Sequence, residues 1–97
     1  MNIQAMMKQA QNLQKTMMKE KEEIDKTVFE EIYSFITIQM TGDKKVKSIK
    51  INQEDGFEDV ELLQDMIMVA LNNTMDKIDK VTSEKMGKYT QGISGLF

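Results

Sequence analysis

The chain has 97 residues, carries a net charge of −3 and contains no cysteine, histidine or arginine, so all thirteen of its basic residues are lysine. Disulfides, thiolate zinc sites, cysteine nucleophiles and histidine acid–base chemistry are therefore excluded. A chain this short, without a linker-like stretch, reads as one domain spanning 1–97 whose small core a second copy would usefully enlarge.

The opening segment, about residues 2–26, lacks Gly and Pro and is rich in Gln, Lys, Glu and Met, all adequate helix formers. The start, MNIQAMMKQAQ, has glutamines where a signal peptide needs an unbroken apolar core, and no segment approaches the roughly 18 apolar residues of a membrane span, so a cytoplasmic protein is expected. Ile3, Met6, Ala10, Leu13, Met17 and Ile24 recur at steps of three and four until Glu20 interrupts them, a heptad seam of about three repeats. Such a helix spans roughly 36 Å, longer than the body of so small a domain. Part of it should project, and its seam should need a partner helix. Lys8, Lys15 and Lys19 fall on the face away from the seam. That face reads most simply as a solvated surface, and functionally as a row of phosphate contacts. Glu20, Glu22, Glu23 and Asp25 confine any such row to the N-terminal half.

From Val28 to Met40 the period changes to two. Val28, Ile32, Ile36, Ile38 and Met40 are expected on one face and Phe29, Tyr33 and Phe35 on the other, with two strands reversing near EEIYS. TGDK at 41–44 predicts a tight turn with Gly42 free to take positive φ. The strand VKSIKIN follows, and its phase slips between Val46 and Ile49 as a bulge would require.

A second helix is predicted from about Phe57 or Glu58 to Lys85, acidic in its first turns and lysine-rich in its last. Val60, Leu63, Ile67, Ala70, Leu71, Thr74, Ile78 and Val81 form its main apolar face, widened by Leu62, Met66 and Val69 toward a partner. Lys77, Lys80 and Lys88 share a stripe interrupted by Glu84. The tail from residue 86 onward, with three glycines and two terminal apolar residues, is expected to be flexible.

No glycine-rich phosphate loop, nucleotide fingerprint or catalytic triad appears, and no catalytic residue or cofactor is expected. The acidic run NQEDGFEDVE at 52–61 fails the calcium-loop spacing and reads as a loop and helix start, so no metal is expected. Of the ten methionines, Met6, Met17, Met66 and Met75 fall at or beside core positions and read as core filler, while Met7 and Met18 lie off the seam. Lysine is a flexible point charge without the planar fork that reads guanine edges, so nucleic-acid binding here should carry little sequence preference. An A+T-rich coding sequence explains the missing arginine more simply than function does. Charge is segregated: Glu54 to Asp76 holds no lysine, while Lys44, Lys45, Lys47 and Lys50 face only Asp43.

MMKQAQNLQKTMMKEKEEI, then ITIQMTGDKKVKSIKIN, then DVELLQDMIMVALNNTMDKIDKVTSEKMGK together resemble the bacterial YbaB/EbfC nucleoid-associated family over most of the chain, with residues 27–35 matched least. The opening K-Q-A-Q with the following Q-K and E-E-I carries part of the likeness. So do Gly42 with V-x-x-I-x-I, and Ala70 with Asn72 before E-K-M. Where the family carries a glycine-rich hairpin, this chain has FEEIYSF. The resemblance implies an α+β protein built as an α-β-β-β-α subunit, its three-stranded antiparallel sheet flanked by long N- and C-terminal helices, in a tweezers-like homodimer. It further implies association with DNA in the nucleoid, a link to gene regulation, and neither catalysis nor a small-molecule substrate.

The candidate DNA contacts are Lys8, Lys15, Lys19, Lys77, Lys80 and Lys85, followed by Lys44 and Lys45 at the turn. Ile3, Met6, Ala10, Leu13, Met17, Leu62, Met66 and Val69 are the candidate dimer interface. The alternative function is an acidic dimeric adaptor or chaperone that holds another protein on its apolar surfaces and methionines.

Overall fold

The computed structural model describes residues 2–52 and 59–94, with side chains placed through Tyr89. In chain order the elements are α1 (Ile3–Lys26), β1 (Val28–Tyr33), β2 (Ile36–Thr41), β3 (Val46–Ile51) and α2 (Val60–Ser94). The strands form one antiparallel sheet in the order β1-β2-β3.

Local chemistry sets the helix ends. Asn2 caps α1 by accepting from the Gln4 N–H at 3.1 Å, which satisfies one of the donors a helix start leaves open. At the other end Thr27 turns to extended backbone, and its N–H donates to the Glu23 and Ile24 carbonyls while its hydroxyl donates to Glu23. Asp59 serves the start of α2, accepting from the Leu62 N–H at 3.0 Å. The expected start at Phe57 or Glu58 lies outside the described residues. The expected end at Lys85 is corrected: α2 runs through Gly87 to Ser94, because burial of Tyr89 gives the extra turns a packing partner.

The sheet faces differ from the alternating pattern expected of the sequence. Phe29 stands opposite Met40 and Tyr33 opposite Ile36, whereas Val28 and Ile32 stand opposite Thr41 and Thr37. Directly opposed residues share a face. Phe29 therefore joins Ile36, Ile38 and Met40 in the core while Ile32 stays 66% exposed. The cause is the two-residue turn Ser34–Phe35, with Ser34 at φ 54°, which inverts the parity between the strands. Between β2 and β3 the slip is present: Gln39 opposes Ser48 but Met40 opposes Val46, so Lys47 is the extra residue of a bulge.

In the β2–β3 turn the positive φ falls on a lysine and not on the glycine. Gly42 does not take positive φ; Lys44 does, at 64°, and its N–H donates to Thr41. Gly42 instead lies against the end of α1, and its N–H donates to the Thr27 carbonyl at 3.0 Å.

The core sits between the β1–β2 half of the sheet and α2: Ile24, Phe29, Ile36, Ile38, Met40, Ala70 and Ile78 are buried together. Each fully buried isoleucine contributes about 1.5–3 kcal/mol. Thr74, also buried, donates its hydroxyl to the Ala70 carbonyl at 2.7 Å, so it brings no bare hydroxyl into the core. α1 is buried only at Ile24. Most of its length projects, giving a molecule 71 × 20 × 13 Å in extent.

Candidate nucleic-acid interface

The α1 arm divides into two faces. Along the seam Ile3 is 71% exposed, and Met6 and Ala10 are exposed as well; only Leu13 and Met17 are half-covered. On α2, Leu62 is exposed and Met66 and Val69 are half-buried. A single chain thus leaves much of the candidate dimer surface in water, an arrangement that costs about 25 cal/mol per Å2 of apolar area left uncovered.

Lys8, Lys15 and Lys19 are exposed and lie across α1 from the seam, since residues seven and eleven apart share a face at 3.6 residues per turn. None has a carboxylate within ion-pair distance among the described residues. Lys80 and Lys85 on α2 are likewise without one. The remaining candidates are engaged. Lys77 donates to the Glu30 carbonyl at 2.9 Å and pairs with Glu31 at 3.3 Å, tying α2 to β1. Lys44 pairs with Asp79 at 2.6 Å, tying the turn to α2, and Lys45 stands 3.7 Å from Asp43. The candidate lysines are thus of two kinds, those with open ammonium groups and those that brace the fold.

Sequence reasoning passed over a cluster where the two helices meet. Lys88 donates to Glu20 at 3.1 Å and lies over the Tyr89 ring, 5.0 Å from its centre. Tyr89 is 4% exposed. The Lys88 ammonium, and then the Tyr89 hydroxyl, hold the Glu20 carboxyl below its usual range. The Glu20 bond raises Lys88, and burial raises Tyr89. The signal in the sequence was Glu20 itself, a carboxylate at a seam position, which calls for a cation facing it. Around this cluster Glu20, Glu23, Ile24, Glu84, Lys85 and Lys88 line one groove.

A second groove opens at the base of α1, lined by Asp25, Lys26, Thr41, Asp43, Lys45, Val46 and Lys47. Asp25 is neutralised by Lys21. The Thr41 hydroxyl donates to Asp43 and, with burial opposing it, holds that carboxyl below its ordinary range. No group of three or more metal-ligating side chains occurs among the described residues, and no described helix is long and apolar enough to cross a membrane.

The sequence is similar to those of known proteins. Residues 1–93 match the YbaB/EbfC DNA-binding family. A nucleoid-associated protein of Ligilactobacillus salivarius is 46% identical over 99 residues, covering 99% of this chain and 95% of the relative. Another, of Lactococcus lactis subsp. cremoris, is 45% identical over 96 residues, covering 96% of this chain and 97% of the relative. A nucleoid-associated protein of Chloroflexus aurantiacus is 38% identical over 100 residues, with full coverage of both. Together with the α-β-β-β-α order of the elements, these matches make the chain a member of the YbaB/EbfC family, a DNA-binding family rather than an enzyme family.

Proposed function

We propose that this protein is a homodimeric, nucleoid-associated DNA-binding protein of the cytoplasm that contacts phosphates through lysine with little sequence preference and helps to organise the nucleoid or regulate genes. The observation that carries the reading is the row Lys8, Lys15 and Lys19, exposed on a projecting arm and without carboxylate partners among the described residues, in a chain of a DNA-binding family. Lysine-to-phosphate contacts position a protein on duplex DNA without reading bases. They also let a chain of net charge −3 bind a polyanion, because the acidic residues more than about 8–10 Å from the contacts are screened. Lys80 and Lys85 extend the set onto α2. Lys44, Lys45 and Lys77 could join it only by giving up their present partners.

The dimer rests on the seam at Ile3, Met6, Ala10, Leu13 and Met17, with Leu62, Met66 and Val69 as its continuation on α2. The test is binding of the purified protein to mixed-sequence duplex DNA across a salt series, with sedimentation run on the same sample. A dimer whose affinity falls steeply between about 50 and 200 mM salt is expected. A dimer that binds no DNA at low salt would overturn the reading in favour of a protein-binding adaptor using the same apolar surfaces.

A further inference from the structure

Lys26 lies in angular register with the lysines of α1: positions 8, 15, 19 and 26 are seven, four and seven residues apart and so fall along one side of the helix, over about 27 Å of axis at 1.5 Å per residue, with Glu22 and Glu23 flanking that line between Lys19 and Lys26. That line ends at the groove between α1 and the β2–β3 turn, where Lys26 meets Lys45 and Lys47. In a regular ladder residue 47 would stand opposite Met40, on the sheet face that Met40 turns to the core, although β3 itself stays exposed along its length. The bulge puts Val46 there and releases Lys47, the use to which bulges are commonly put.

The charges facing the groove favour an anion at Lys47. Asp25 is met by Lys21 and Asp43 by Lys45 and the Thr41 hydroxyl. Lys26 is paired only with exposed Glu22, at 3.1 Å, and an exposed pair of this kind is worth little and exchanges readily. Lys47 has no carboxylate within ion-pair distance among the described residues.

We infer that the phosphate track of α1 turns at the base of the arm onto the β2–β3 hairpin, and that Lys47, freed by the bulge and facing the groove with Lys26, is a duplex-DNA phosphate contact. This rests on the DNA-binding reading above. The track then spans the length of about eight base pairs at 3.4 Å and bends where helix gives way to sheet, so it follows one backbone past the end of the arm.

The full chain and the exposed-surface variants Lys47→Gln and Lys26→Gln/Lys47→Gln are to be titrated against a mixed-sequence 30-base-pair duplex by fluorescence anisotropy at several salt concentrations, with melting curves alongside. Each lost phosphate contact should lower the slope of log Kobs against log salt by about 0.9. Lys47→Gln should therefore bind several-fold more weakly at 50 mM salt, with an unchanged melting temperature. A parent that binds and a Lys47→Gln variant with the same affinity and slope would overturn the groove contact while leaving the DNA-binding reading intact. A parent that binds no duplex would overturn both.

Discussion

Gly42 rests on the last turn of α1 at the Ile24 carbonyl. A Cβ built on Gly42 would collide with that carbonyl and lie 3.1 Å from the Asp25 Cα. All of these are backbone atoms that no rotamer change can move. Gly42→Ala should therefore push α1 off the hairpin, strain the Gly42 N–H bond to Thr27 and destabilise the fold by about 1–3 kcal/mol or more. Chemical denaturation checks this. An unchanged midpoint would mean that the arm is not seated on the turn.

The corrected sheet faces make an ordered pair of predictions. Phe29→Ala removes a buried ring facing Met40 and should cost about 3–5 kcal/mol. Ile32→Thr alters a side chain on the solvent face and should stay within about 0.5 kcal/mol. The sequence pattern read alone orders the two the other way, so their thermal midpoints decide between the assignments.

The sheet faces depart from the sequence pattern for a definite reason. A period of two is visible in residues 28–40, but which residues share a face across a reversal depends on whether the turn has an odd or even number of residues, and Ser34–Phe35 carries no glycine to mark it. The bulge was legible because Val46 and Ile49 cannot share a face without one. The turn sequence singles out Gly42 for φ, whereas the structure needs it for the close approach of Ile24, a contact between segments distant in sequence. The sequence predicts an end of α2 at Lys85 because Gly87 weakens the local helix signal; burial of Tyr89 is a tertiary gain that no local propensity contains. The lysines of α1 were legible by spacing. That Lys44 and Lys77 are engaged with Asp79 and Glu31 was not, since those partners come from other elements.

The junction of Glu20, Lys88 and Tyr89 predicts a pH window for the hold of α1 on α2. The Lys88 bond, then the Tyr89 hydroxyl, place the folded pKa of Glu20 below its unfolded value, so its contribution is present above the unfolded value and fades as pH falls through the folded one. Lys88 is raised by Glu20 and Tyr89 by burial. Their contributions are complete below their unfolded values and fade as pH rises through the folded ones. The junction should thus hold from just above the carboxylate range, about pH 4–5, up to the alkaline range near about pH 10. Glu20→Gln should melt below the parent at pH 7, and the gap should close as the pH drops below about 4. A constant gap across that range would show that the Glu20 charge does not hold the arm.

Lys77 separates bracing from DNA contact. Its bonds to the Glu30 carbonyl and Glu31 join α2 to β1, so Lys77→Gln should lower stability by about 0.5–1 kcal/mol, the range for a partly exposed bond of this kind. Lys8→Gln, on the open face of the arm, should leave stability within about 0.5 kcal/mol. Their effects on DNA differ in a second quantity. Lys8→Gln should lower the salt slope by about 0.9 as one phosphate contact is lost. If Lys77 only braces the fold, Lys77→Gln leaves that slope unchanged and affects binding no more than its loss of folded protein predicts. A slope lowered by the same amount would instead mean that Lys77 leaves Glu31 for a phosphate when DNA arrives, which places α2 as well as α1 on the duplex.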